Sequence, residues 1–187
     1  TRHCTVKFLK SKDEVASHFE TFINQKKNEG LKIGILRSDN GTEYCNRTMQ
    51  ALMGKHGIVH ETTAVKGSHQ NGVAERKNRT IQELGMALLE QSGLNNRYWT
   101  EAYRTVNYVL NRVINDTTQL IPHEQIFDTK VSLKHLKVFG CRVYVHNTNR
   151  KRKLDRRGVP AIFMGYCPTN KNCRVIIEGK RLITTAE

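Results

Sequence analysis

The chain has 187 residues, is 37% hydrophobic and 26% charged, and carries a net charge of +14. That length suffices for one sizeable domain, or for one domain with a small module. The charge favours a polyanionic partner, nucleic acid over membrane, because no long basic amphipathic helix or lipidation motif occurs. No apolar run approaches a membrane span, and no secretory signal is visible. Cys4, Cys45, Cys141, Cys167 and Cys173 are odd in number and never in CxxC spacing. This argues against a zinc site or a disulfide framework and for a reducing compartment.

Arg2 to Leu9 alternates, with Cys4, Val6 and Phe8 on one side and Thr5 and Lys7 on the other, so it reads as a strand with one buried face. Ser11-Lys12-Asp13-Glu14 has the pattern of a capping box: Ser11 bonds the amide three residues on, and Glu14 reaches back. The helix it starts puts Val15, Phe19, Phe22 and Ile23 on one face and ends at Gly30. Leu31 to Leu36 reads as a strand, followed by the turn Asp39-Asn40-Gly41. Asn46 caps a short helix with Met49, Leu52 and Met53 inward, closing at Gly54 or Gly57. Ile58 to Val65 reads as a strand and Lys66 to Gly72 as a polar, glycine-hinged loop. Val73 to Gln91 is a helix with Ala74, Ile81, Leu84 and Leu88 along one side, and Gly85 placed to admit another helix. Asn95 or Asn96 caps the next helix, whose wide apolar face from Trp99 through Tyr103 and Val106 to Val113 reads as core.

Asn115 to Lys134 changes character and reads as a linker with a brief helical turn at Glu124 to Phe127. Short strands follow at Lys137 to His146, Ala161 to Tyr166, Arg174 to Ile177 and Arg181 to Thr184, the texture of a small β-barrel. The order of elements up to Val113 is an α/β layered pattern, and an all-β module follows it.

Two phrases carry the chemistry. Leu36-Arg37-Ser38-Asp39-Asn40-Gly41-Thr42-Glu43-Tyr44 puts an acid at a strand end, and Gln70-Asn71-Gly72-Val73-Ala74-Glu75-Arg76-Lys77-Asn78-Arg79-Thr80 puts another near the start of a basic helix. Thirty-five residues intervene between Asp39 and Glu75. Two-metal phosphoryl transfer needs carboxylates converging from different elements on two Mg²⁺ ions about 3.5–4 Å apart. Hard cations take oxygen ligands and keep waters and phosphates in their shell. Asn40-Gly41 leaves Asp39 at the sheet edge, and Asn71-Gly72 lets the loop before Glu75 close over DNA. On a helix Arg79 lies one turn beyond Glu75, flanked by Arg76 and Lys77. For an isolated acid the bland reading, a weak surface ion pair, would win; the surrounding phrases reverse it.

Together RSDNGTEY and QNGVAERKNRT resemble the integrase of Ty1/copia-type retrotransposon Pol polyproteins, of the D,D-35-E class. The similarity runs along most of the chain, through Trp99 to Arg112, Leu133 to His146, Arg152 to Gly158 and Phe163 to Tyr166. It implies an α/β RNase H-like core over residues 1–115, incomplete at its N-terminus, a linker over 116–132, and a small SH3-like all-β barrel over 133–187. It implies that Asp39 and Glu75 are the second and third catalytic acids and hold Mg²⁺ or Mn²⁺. Gln70, Asn71 and Gly72 would form the active-site loop, and Arg76, Lys77 and Arg79 would contact DNA. The partners implied are element ends and target DNA within a homo-multimer of the complete protein, acting in the nucleus after a cytoplasmic particle stage, with no membrane involved. The family's first catalytic Asp and its N-terminal zinc-binding His/Cys region are not in the chain, and neither Asp13 nor Glu43 substitutes for the former. The chain is therefore expected to be a fragment that cannot catalyse strand transfer alone. A non-catalytic, nucleic-acid-binding remnant of a transposable element is the alternative.

A second basic feature spans Asn149 to Arg157, where Arg150, Lys151, Arg152, Lys153, Arg156 and Arg157 face only Asp155. It is expected either to grip phosphates independently of sequence or to serve as a solvated loop or localisation signal.

Overall fold

The computed structural model describes residues 1–62, 72–147, 152–167, 172–177 and 183–186. The chain divides into two compact units, Lys7–Arg79 and the remainder, Thr1–Val6 with Thr80–Glu187.

In the smaller unit a 3₁₀ turn at Lys12–Glu14 leads into α1 (Val15–Asn28), β1 (Ile35–Ser38), α2 (Arg47–His56) and β2 (Val59–Thr62). The expected capping box does not close on Ser11. Glu14 Oε2 reaches back to accept the Lys10 amide at 2.9 Å, while the Ser11 side chain makes no cap bond. Helix α2 is set at both ends as its residues dictate. Asn46 Oδ1 accepts the Met49 amide at 2.8 Å, and Gly57 takes a left-handed φ of +63° that ends the helix. The core holds Ile23, Met49, Leu52, Met53 and Ile58, with Val15, Phe19, Ile33, Leu36 and Tyr44 against it. Strands β1 and β2 run parallel in the register Ile35–Val59 to Ser38–Thr62. The face that carries Leu36 and Ser38 is inward; the other exposes Ile35 and Val59 beside the Arg37–Glu61 ion pair at 2.7 Å.

Helix α3 (Gly72–Ser92) begins in the smaller unit and continues into the larger. There a 3₁₀ turn capped by Asn95 leads to α4 (Trp99–Leu110) and α5 (Pro122–Phe127). An antiparallel sheet follows in the order β3 (Arg142–His146), β4 (Gly158–Tyr166), β5 (Cys173–Ile177) and β6 (Ile183–Ala186). Its register shifts between Phe163 and Gly165, where Gly165 adopts φ +132°. Leu89, Ala102, Phe139, Met164 and Ile176 form a core shared by α3, α4 and the sheet.

The inward stripe of α3 is Ile81, Gly85 and Leu89, at i, i+4 and i+8. Leu84, expected inside, is 43% exposed, because the stripe is rotated by one position toward Leu89. Gly85 does admit a neighbour: a Cβ there would strike the Tyr103 ring of α4. Helix α4 is fastened to the sheet by polar contacts as well. Glu101, 4% exposed, takes Arg174 of β5 in a two-pronged pair at 2.6 and 2.9 Å, and Thr105 Oγ1 donates to the Met164 carbonyl at 3.3 Å.

One expected element is corrected. Arg2 to Leu9 is not a strand. The Cys4 amide donates to Asn111 Oδ1 at 2.9 Å, and the Cys4 carbonyl accepts from Asn111 Nδ2 at 2.7 Å and Asn107 Nδ2 at 3.1 Å. Side-chain amides of and just beyond α4 thus do what a neighbouring strand would do. Among the described residues no helix is long and apolar enough to cross a membrane.

Candidate active site

β1 ends at Ser38, which is 5% exposed, and delivers Asp39 to the surface. The Ser38 hydroxyl donates to the Asp39 carbonyl at 2.8 Å and lies 2.9 Å from His60 Nε2 on β2. Asp39 Oδ1 accepts the Gly41 amide at 3.1 Å, so the acid folds back on its own turn. Both carboxylates crowd the turn: a Cβ at position 41 would lie 2.8 Å from Glu43 Oε2 and 3.0 Å from Asp39 Oδ1. The Glu43 carboxylate is bridged by Lys12 at 3.2 Å. Its own backbone N–H, and then the Lys12 side chain, hold it below the usual carboxyl range. Burial, then the charges of Asp39 and Glu43, push the Tyr44 hydroxyl up.

Glu75 stands exposed in the first turn of α3. Its side chain makes no hydrogen bond or ion pair among the described residues. The Arg76 guanidinium folds back over buried Gly72, 3.2 Å from where a Cβ would sit. Arg79 is exposed and Lys77 half-buried. Asp39 and Glu75 belong to the same compact unit. The segment 63–71, with Gln70 and Asn71 of the expected active-site loop, lies outside the described residues, whereas Gly72 is within them. Two accessible carboxylates on different elements suit a hard cation that keeps water and phosphate oxygens in its shell. Among the described residues no three His, Cys, Asp or Glu side chains gather closely enough to hold a metal by themselves.

The second basic feature lies between β3 and β4. Arg150 and Lys151 fall outside the described residues, and Arg152, Lys153, Arg156 and Arg157 are exposed. Asp155 Oδ2 accepts the Arg152 amide at 2.8 Å, so this acid is engaged in shaping the turn. Asn147 closes the base, its amide and Nδ2 donating to the Arg157 and Arg156 carbonyls at 2.8 and 3.1 Å. β3 exposes Arg142, Tyr144 and His146 on one face and turns Val143 and Val145 inward. The sequence reading did not single out that exposed triplet, although the alternation Arg-Val-Tyr-Val-His is its signal.

Ser38 and His60 were also missed, and no local pattern marks them, because they meet only across the strand pair. The same holds for the Tyr108 ring, which stacks on Tyr166 at 4.3 Å with Arg112 3.5 Å over its other face. Burial pushes both phenols above their ordinary range.

Comparison with known proteins agrees with this architecture. Residues 141–186 match the retroviral polymerase SH3-like domain. The chain is 41% identical over 169 residues to the Retrovirus-related Pol polyprotein from transposon TNT 1-94 of Nicotiana tabacum, covering 89% of the chain and 13% of that protein. It is 34% identical over 172 residues to the transposon RE1 polyprotein of Arabidopsis thaliana, covering 90% and 12% respectively. It is 30% identical over 149 residues to the truncated transposon Ty1-A Gag-Pol polyprotein of Saccharomyces cerevisiae, covering 79% and 12%. The chain thus spans about an eighth of the length of these relatives. Among solved structures, a chain of the simian T-cell lymphotropic virus intasome, in complex with PP2A regulatory subunit B56 gamma, matches at TM-score 0.52 and 15% identity, over 98% of this chain and 67% of that one. The fold, α/β with an SH3-like β module, is thus shared with a chain of a retroviral intasome, and over about nine-tenths of its length the chain is homologous to a segment of Ty1/copia-type retrotransposon Pol polyproteins.

Proposed function

We propose that the chain is the part of a retrotransposon integrase that supplies the second and third acids of a metal-dependent DNA-joining site. The observation that supports this most is that two exposed carboxylates, Asp39 on the turn after β1 and Glu75 in the first turn of α3, belong to one compact unit. Homology to Pol polyproteins along most of the chain sets these acids in context. In this reading residues 1–115 are the integrase core, 116–132 a linker and 133–187 the SH3-like module.

Asp39 and Glu75 would hold Mg²⁺ or Mn²⁺. When bound, the metal activates the attacking oxygen and neutralises charge on the leaving one. The bond formed joins the 3′-hydroxyl oxygen of an element end to a target phosphorus. The bond broken is that between this phosphorus and its original 3′ oxygen, which leaves with a proton. No residue of the chain becomes covalently attached. The protein's part is positioning and charge neutralisation, which supply most of the rate in phosphoryl transfer. Arg76, Lys77 and Arg79 would guide the DNA backbone past the acids, with Gln70, Asn71 and Gly72 as the loop beside it. Arg150, Lys151, Arg152 and Lys153, with exposed Arg142 and Tyr144 nearby on β3, would grip phosphates. Such contacts bind with steep salt dependence and little sequence preference. The complete protein would act in the nucleus as a homo-multimer, since two element ends are joined.

The test combines metal and DNA binding by the purified chain. Mn²⁺ binding is expected to weaken at least tenfold in Asp39→Asn and in Glu75→Gln, with unchanged circular dichroism. DNA affinity should fall as salt rises, and Arg152→Glu with Lys153→Glu should flatten that dependence. Mn²⁺ binding indifferent to both acids would overturn the assignment. Mg²⁺- or Mn²⁺-dependent joining of DNA ends by the 187-residue chain alone would overturn the view that it holds an incomplete acid set. A second reading, a DNA-binding remnant without catalysis, draws on the lack of a three-donor metal group among the described residues. It predicts salt-dependent DNA binding with no Mn²⁺ site at Asp39.

A further inference from the structure

We propose that Ser38 and His60 are positioning residues for Asp39, an inference that rests on the reading of Asp39 as a metal-holding acid. Ser38 has one hydroxyl hydrogen and two contacts. Its Oγ donates to the Asp39 carbonyl at 2.8 Å, and His60 Nε2 lies 2.9 Å from the same oxygen. Because the single hydrogen is spent on the carbonyl, His60 Nε2 must carry its own hydrogen and donate to Ser38 Oγ. The chain of donors therefore runs from His60 on β2 through Ser38 at the end of β1 to the main chain of Asp39.

Ser38 is 5% exposed, so neither contact is readily exchanged for water. Fixing the Asp39 carbonyl fixes the peptide plane between Asp39 and Asn40, and with it the start of the turn that brings the Gly41 amide to Asp39 Oδ1 at 3.1 Å. Asp39 is thereby held at its main chain from one side and at its carboxylate from the other. Without the hydroxyl the peptide plane can rotate, and the Gly41 amide leaves the carboxylate. Among the described residues the last pair of the ladder between β1 and β2 is Ser38–Thr62, one residue short of Asp39. Groups that support a metal ligand from behind commonly govern affinity without touching the metal.

The experiment uses the whole chain and Mn²⁺ as probe, with long-range ¹⁵N spectra of the imidazoles alongside. In the wild type, His60 is expected to show a protonated Nε2 and a bare Nδ1 at alkaline pH. His60→Ala and Ser38→Ala should each weaken Mn²⁺ binding about tenfold, as is usual when a ligand's supporting contact is lost. His60→Gln, which restores a side-chain N–H donor, should recover most of that loss, and a purely structural role would not predict this recovery. Ser38→Ala removes one oxygen only and serves as the deciding variant should His60→Ala unfold the strand pair. If Asp39→Asn leaves Mn²⁺ binding unchanged, the assignment of Asp39 fails and the relay falls with it. If binding depends on Asp39 but is the same in both alanine variants, or if His60 carries its hydrogen on Nδ1, the relay alone is overturned.

Discussion

Along β4, four consecutive residues from Phe163 to Tyr166 are buried, whereas the neighbours Ile35 and Val59 on β1 and β2 are 57% and 59% exposed. Parallel strands are usually covered on both faces, so a bare parallel pair is the less common arrangement. Each unit buries a charge and matches it, Glu101 with Arg174 in the larger and Lys26 with Glu29 in the smaller, but the smaller also keeps Asp39 on an exposed turn and the Arg37–Glu61 pair at the surface. A buried charge must be matched within the fold, and one that will meet a cation and DNA must remain accessible. The candidate acids thus belong to the accessible surface of the smaller unit and the Glu101–Arg174 pair to the interior of the larger, and substitutions at the two should differ accordingly.

The largest effect should come from Glu101→Ala, which strands Arg174 beside an apolar core. Breaking a buried pair from one side costs about 3–5 kcal/mol. Urea denaturation followed by circular dichroism measures this. A loss below about 1 kcal/mol would show that the larger unit does not rely on the pair, which would remove the contrast. Next is Asn46→Ala in the smaller unit. It deletes the cap on α2 and the two Nδ2 bonds to the Thr42 and Glu43 carbonyls. A lost cap costs about 1 kcal/mol, and amide exchange in α2 should accelerate while that in β4 stays slow. Equal acceleration in both would mean that the units open together.

The smallest signal concerns pH and belongs to the larger unit. Burial raises the Tyr108 and Tyr166 hydroxyls above the ordinary tyrosine range, so folding favours the neutral phenols. Their contribution is complete below the ordinary tyrosine range and is lost as pH rises through the raised values. Tyrosinate absorbance should therefore appear late for these two rings, accompanied by loss of the β-sheet signal. Early ionisation with the sheet intact would show that the stacked pair is open to solvent.

Much of this fold is legible in the residues. The periodic apolar positions of α1, α2 and α4 mark helices, and Asn46 and Gly57 mark where α2 starts and stops, because capping is a local interaction. The acids Asp39 and Glu75 are legible as well, through the phrases around them. What was not legible depends on partners far apart in sequence. The alternation of Arg2 to Leu9 is genuine, yet the hydrogen bonds that would have made a strand go to Asn111 and Asn107. The rotation of the α3 stripe from Leu84 toward Leu89 is set by the Tyr103 ring above Gly85. Glu101 and Arg174, 73 residues apart, give no local sign of their pairing.

The amide of Asn111 has a consequence for how the chain can change over time. It holds Cys4 through main-chain atoms alone, accepting from its N–H and donating to its carbonyl. Recognition of that kind is blind to side-chain identity. This contact therefore places no demand on the side chain at position 4, while position 111 tolerates only a residue that both donates and accepts at the same reach. Aspartate would keep the acceptor and lose the donor.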